Sequence, residues 1–296
     1  MIARNFRQHF SRAVLLAAFV VAGQASLMLW AASVPTDLSG PAAKQFVRQI
    51  INHELAADHG DHSHFAYHLR KETPKGTTVK QVIETSEGGV SRLIAINDQP
   101  LNQEQRAKDE ERLQKLLQDP DEQKKKQREE EEDGKKAEEM LRVLPDAFLY
   151  QETGQNGDLV IFKFQPDPNF DPPSRESSVY RGMQGTLILD ARQQRLVKID
   201  AHMFEDVTFG WGILGRLNKG GSFYVEQKQI EGTRWDITTM KVNMTGKALF
   251  FKTINMQEKE VLSDFHRIPD NLSLKQAVDM LEKEPPVVAS SARPAK

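Results

Sequence analysis

Apolar positions along this chain change period several times, and each change marks an element. Between Gly40 and Asp58 the residues Phe46, Val47, Ile50, Ile51 and Leu55 recur at helical spacing, with Lys44, Arg48 and Glu54 elsewhere, which predicts an amphipathic helix. From His64 the period becomes two. Phe65, Tyr67 and Leu69 alternate with His64, His68 and Arg70, Thr77–Thr85 is rich in β-branched residues, and Glu87-Gly88-Gly89 reads as a hairpin turn into Val90–Asn97. From Ala147 to Phe265 strand-length runs follow one another between turn residues: Phe148–Glu152, Leu159–Phe164, Gly185–Asp190, Leu196–Phe204, Gly220–Ile230, Arg234–Met244, Lys247–Met256 and Lys259–His266. Turns are expected at Gly154-Gln155-Asn156-Gly157 and at Ala191–Arg195. Asn271–Leu281 reads as a short helix with Leu272, Leu274, Val278 and Leu281 on its apolar side, and residues 285–296 as a disordered tail. The sum is an α+β, mainly β domain: about ten antiparallel strands in a meander that curls into a half-barrel, with covering helices.

One segment breaks the rhythm. From Glu104 to Glu139, 14 acidic and 10 basic residues fill 36 positions. Glu104/Lys108, Glu111/Lys115, Glu122/Lys126, Glu131/Lys135 and Glu132/Lys136 place acid before base four apart, the helix-stabilising order. This predicts a solvated helical insertion over 101–144, with narrow apolar stripes at Leu113, Leu116 and Leu117 and again at Met140, Leu141 and Leu144. Asp119-Pro120-Asp121-Glu122 has the layout of a fresh helix start; Gly134 weakens the second helix and Pro145 is expected to end it.

Charge and composition then set the compartment. Arg4, Arg7 and Arg12 precede the apolar stretch Ala13–Ala22, and small residues follow, the layout of a secretory signal over Met1–Ser33. Cleavage fits after Ala25 or after Ser33; an uncleaved inner-membrane anchor is the competing reading, because Ala13–Ala32 makes 20 residues. Either way the rest of the chain is expected outside the cytoplasm, in the periplasm. There is no cysteine, so disulfides, thiolate metal sites, cysteine nucleophiles and a lipidation cysteine are all excluded. A net charge of -2 gives no case for nucleic acid.

Candidate chemistry is sparse. His53, Asp58, His59, Asp61, His62, His64 and His68 cluster in sequence, with His59, His62 and His64 the weak candidates for a metal, but their spacing matches no metal signature and a polar loop is the plainer reading. No nucleophile elbow, zinc-protease helix, phosphate loop or dinucleotide fingerprint is present, so no catalytic residue, cofactor or enzyme activity is expected. Phe209, Trp211, Ile213, Leu214 and Leu217 are threaded with glycines, which suits the mouth or lid of an apolar cavity; capping of the core is the plainer alternative. Phe223 and Trp235 join them as candidate ligand-binding residues, and as core candidates first.

Gly182-Met-Gln-Gly-Thr-Leu-Ile-Leu-Asp-Ala-Arg192, Arg195-Leu-Val-Lys-Ile-Asp200, the glycine-rich segment around Trp211 and Gly221-Ser-Phe-Tyr-Val-Glu-Gln227 followed by Trp235 resemble the outer-membrane lipoprotein-sorting superfamily of LolA and LolB type. The likeness covers Phe148–His266, rests on strand rhythm, and marks a divergent branch, since the classical carriers lack the charged insertion. It implies an antiparallel half-barrel whose apolar hollow, closed by helices, shelters acyl chains of a lipid or lipoprotein. On this reading the protein is a non-catalytic periplasmic carrier of a hydrophobic ligand, with transient membrane contact. The alternative is an envelope interaction or sensor module that uses the charged helices as a docking arm for a protein partner.

Overall fold

The computed structural model describes residues 38–209, 215–248 and 252–283. The signal read at Met1–Ser33 and the tail at 285–296 lie outside the described residues. Helix α1 (Gly40–Gly60) leads into β1 (His64–Thr73), β2 (Gly76–Ile83), β3 (Val90–Ile96) and a two-residue β4 (Gln99–Pro100). The insertion supplies α2 (Gln103–Gln118) and α3 (Pro120–Ala147). Then come β5 (Phe148–Asn156), β6 (Leu159–Pro166), a 3-10 turn (Ser177–Gly182), β7 (Met183–Asp190) and β8 (Arg195–Met203). The short β9 (Val207–Phe209) and β10 (Gly215–Leu217) precede β11 (Ser222–Glu231), β12 (Arg234–Ala248), β13 (Lys252–Ile268) and α4 (Leu274–Lys283).

All thirteen strands belong to one antiparallel sheet in the order β4-β3-β2-β1-β13-β12-β11-β8-β7-β6-β5, with the β9–β10 flap attached through β10 to β12. Its two end strands do not pair, so the sheet is an open half-barrel rather than a closed one. The strands exceed the expected ten partly because β4, β9 and β10 are too short to show a period. The last two runs of the sequence reading, Lys247–Met256 and Lys259–His266, are not separate strands: β12 continues to Ala248 and β13 runs unbroken from Lys252 to Ile268. Nor does Gly154 open a turn. β5 passes through it with a register shift between Glu152 and Gly154, and the reversal falls at Gly157, whose φ of +61° suits glycine.

The helices cover opposite faces at opposite ends of the sheet. On what we term the inner face, α1 buries Ala43, Val47, Ile50, Ile51 and Leu55 against β5–β8, joined by Leu141, Leu144 and Ala147 from the end of α3. At the other end α2 and α4 cover the outer face of β1–β3: Leu113, Leu274, Ala277, Val278 and Leu281 pack on Ala66, Ile83 and Val90. This explains why β1 opens with four consecutive buried residues instead of clean alternation. The insertion is therefore solvated only in part. Leu113 is fully buried, Asp109 accepts a hydrogen bond from the Leu93 backbone N–H at 2.9 Å, and the Lys126 ammonium donates to the Gly89 carbonyl at 2.6 Å.

The expected start of α3 is present, with the Asp119 side chain accepting from the Glu122 N–H and Pro120 in the first turn. Pro145 does not end α3 but sits in its last turn, and Gly134 is a buried position within it. Of the acid-before-base pairs, Glu104 and Lys108 meet at 2.6 Å, whereas Lys136 turns to Asp133 at 3.2 Å. α1 is pinned by Glu54, which is 1 % exposed: one carboxylate oxygen accepts from the Leu196 N–H at 3.1 Å and the other lies 3.3 Å from the Arg195 guanidinium.

Candidate functional site

The register defines the inner face residue by residue. Directly paired positions point to the same side, so Phe162 (β6), Leu187 (β7), Ile199 (β8), Val225 (β11) and Met240 (β12) form one apolar row. α1 covers the β6–β8 part of this row. Beyond its edge, Val225, Ile237, Met240 and Val242 make a second cluster on β11 and β12. Phe223 and Met244 belong to the margins of both clusters, and Phe209 and Leu217, one from each strand of the flap, pack at the margin of the first. All four are half-buried. They form an apolar seam with the flap at its rim. Gly246 on β12 lets the flap approach: a Cβ there would stand 2.2 Å from the Arg216 carbonyl oxygen of β10.

Three residues predicted for a cavity or lid thus come together: Phe209, Leu217 and Phe223. Trp235 does not join them, since it is buried near the start of β12, opposite Gln229. Trp211, Ile213 and Leu214 lie outside the described residues.

A second feature sits at the junction of the α1 exit, the β2–β3 turn and α3. A cleft of about 510 Å³ opens there, lined by Asp58, His59, Asp61, His62, His64, Glu84, Glu130, Glu131 and Asp270 together with small polar and glycine positions. This lining is polar, so it is not the apolar hollow expected from the sequence. Behind Glu84 lies a buried charge cluster. The Arg234 guanidinium bonds Asp236 at 2.8 Å, approaches Glu84 at 3.5 Å and Asp61 at 3.7 Å, and donates to the Ser63 carbonyl at 3.1 Å. Burial pushes the Asp236 carboxyl up to about 7; Arg234 opposes that rise and Glu84 adds to it. Burial, with Glu84 and Asp236 nearby, also holds the Tyr67 phenol well above its usual value.

The histidines disperse rather than converge. The ring of His53 lies 3.0 Å from the Gln194 carbonyl, His59 3.3 Å from Glu138, His64 3.6 Å from Asp270 and His68 3.0 Å from Asp264. His59, His62 and His64 line the cleft together, yet among the described residues no three His, Asp or Glu side chains are grouped to hold a metal ion.

Sequence reasoning missed the charged residues of the inner face and of the buried cluster. A signal existed for the first: Glu258 and Glu260 share their parity with Met256 and Leu262, so they had to lie on the apolar side of β13. Arg234-Trp-Asp236 carried no such signal, because both faces are covered where β12 begins.

Among the described residues no helix is long and apolar enough to cross a membrane. No family model, curated protein or solved structure matches the chain.

Proposed function

We propose that this protein is an exported, non-catalytic carrier or binding protein for a hydrophobic ligand, of the lipid or lipoprotein acyl-chain class, working in the periplasm. The observation that carries the reading is the seam where half-buried Phe209, Leu217, Phe223 and Met244 meet between two apolar clusters under a two-strand flap. A half-buried aromatic and aliphatic rim beside a two-strand flap joined to β12 by three register pairs suits reversible uptake of hydrocarbon, because each methylene transferred from water contributes about 0.8 kcal/mol and no chemistry is needed. The open sheet is compatible with the same reading, since its two end strands are not paired to each other. The N-terminal arginines and apolar stretch support export. The insertion serves in this account as a cover for the β1–β3 end rather than as a free arm, because Leu113 and Asp109 fasten it to the sheet.

The test is native mass spectrometry of the protein purified from the periplasmic fraction, followed by displacement of a fluorescent fatty acid. Mass adducts of lipid size that the probe displaces are expected, with uptake reduced in Phe223→Asp. A uniformly ligand-free protein that takes up no probe refutes the proposal.

A further inference from the structure

The inner face changes character where its rows pass from β12 onto β13, β1 and β2. Met240 is paired with Glu260 and Val242 with Glu258, and Glu260 in turn faces Lys71 of β1. Lys71 is neutralised there. Its ammonium lies 3.0 Å from Glu260, which is 1 % exposed, and also bonds Glu258. Lys80 on β2 belongs to the same face, because its partner on β1 is Leu69, which is itself paired with Leu262. On its other side Lys80 is paired with Leu93 of β3. Tyr67, Leu69, Val82 and Leu262 form the apolar cluster around it.

Lys80 differs from Lys71 in one respect. It is half-buried, and among the described residues no carboxylate lies within ion-pairing distance of it. The charges it feels are Arg112, Lys71 and Lys126 on the cationic side and Asp109 on the other. Asp109 is already engaged, accepting from the Leu93 N–H and from Arg112, each at 2.9 Å. Burial, reinforced by Arg112 and Lys71, holds the Lys80 ammonium below the ordinary lysine value. An ammonium set among leucines without a counter-ion costs stability, and a leucine or threonine would complete this sheet position better. An anion supplied from outside the chain would remove that cost.

We infer that Lys80 anchors the anionic head of a single-chain amphiphile whose hydrocarbon lies across the inner face toward the Phe223–Met244 seam. The inference rests on the carrier reading. From β2 to β11 the path crosses β1, β13 and β12, four steps of about 4.8 Å or roughly 19 Å across the strands, and Phe223 lies several residues along β11 from the row that holds Lys80. One leaflet of a bilayer, about half of the roughly 30 Å hydrocarbon core, shows that a long acyl chain covers most of that span. A head on Lys80 therefore points the chain toward the seam without reaching Phe223 itself. A cationic head would be repelled by Lys80, and a neutral head would leave the ammonium unpaired. Carboxylate and phosphate monoester heads share the required chemistry.

The experiment uses the delipidated mature protein and four ligands of equal chain length: hexadecanoate, hexadecyl phosphate, hexadecanol and hexadecylamine, with binding read by titration calorimetry at neutral pH. The wild type is expected to bind one or both anions on the order of tenfold more tightly than the alcohol, the scale of a charge-assisted hydrogen bond, and the larger of the two preferences identifies the head. Lys80→Met should erase that preference, read as the ratio of anion to hexadecanol affinity within the variant, while Lys80→Arg keeps it. Equal binding of acid and alcohol by the wild type, tighter binding of the amine, or a preference that survives in Lys80→Met overturns the anchor while leaving the carrier reading intact. A wild type that binds none of the four overturns the carrier reading and the anchor with it.

Discussion

Replacing Asp236 by asparagine keeps the size of the side chain and removes its charge, so it isolates the cost of burying that carboxylate. In the folded chain burial moves Asp236 from the ordinary 3.8 to about 7, against the pull of Arg234 at 2.8 Å. Between those two values the native state binds more protons than the unfolded state, so stability falls as pH rises through the window and levels off above it. At 1.36 kcal/mol per pH unit the full displacement corresponds to roughly 4 kcal/mol, an upper bound because local relaxation and water penetration lessen the cost of a buried charge. Asparagine has no such titration. The stability difference between Asp236→Asn and wild type should therefore climb across the acid-to-neutral range and stay flat beyond it, approaching but not exceeding about 4 kcal/mol. Urea denaturation of both proteins at closely spaced pH values measures this directly. Parallel stability curves, or a difference that shrinks as pH rises, would refute the claim that Asp236 is held protonated by burial.

Three further changes probe the packing. Leu113→Ala empties a fully buried position between α2, α4 and the outer face, and should cost about 2–5 kcal/mol in denaturant titrations; a loss under 1 kcal/mol would mean that the insertion does not share this core. Glu54→Ala leaves the buried Arg195 without its carboxylate and the Leu196 N–H without its acceptor, so a loss of about 3–5 kcal/mol is expected, with Glu54→Gln milder because it can still accept from Leu196. Gly246→Ala forces a methyl to within 2.2 Å of the Arg216 carbonyl oxygen. Hydrogen exchange should then quicken in the flap strands 207–209 and 215–217 far more than in β7 or β8, and an unchanged flap would contradict the close approach.

Much of this architecture was legible because period survives translation into structure. The α1 residues Val47, Ile50, Ile51 and Leu55 announce a one-sided helix and are buried as such. The Asp119-Pro120 start and the Gly88 turn, where φ is +115°, are fixed by residues with few alternatives. What stayed hidden depends on partners distant in sequence. Nothing in Leu113-Gln-Lys-Leu-Leu says that the charged insertion will share a core with α4, more than 150 residues later. Strand ends were blurred for a related reason: in β12 and β13 the ladder continues past the point where apolar alternation fades, because pairing with a long neighbour holds the backbone extended through polar residues. At the candidate site the flap residues Phe209 and Leu217 were visible as apolar positions between glycines, whereas Lys80 was not, since a lysine in a β-branched run reads as solvent-facing until its register partners Leu69 and Leu93 are known.

The two-faced covering of the sheet also decides where a ligand can enter without unfolding anything. At the β5–β8 end the inner face is sealed by α1, which Glu54 ties to β8, so admitting a chain there means breaking a buried ion pair. At the β1–β3 end the outer face is sealed by α2 and α4, which leaves the inner face of the same strands to the sheet's own side chains. Between the two ends the only described segment on the inner margin that is held by a few strand pairs is β9–β10, fixed to β12 through three register pairs. The barrier to opening is lowest where the fewest backbone hydrogen bonds and least apolar area must be given up, and on that ground the flap, rather than a helix, is the element that moves when the proposed ligand binds.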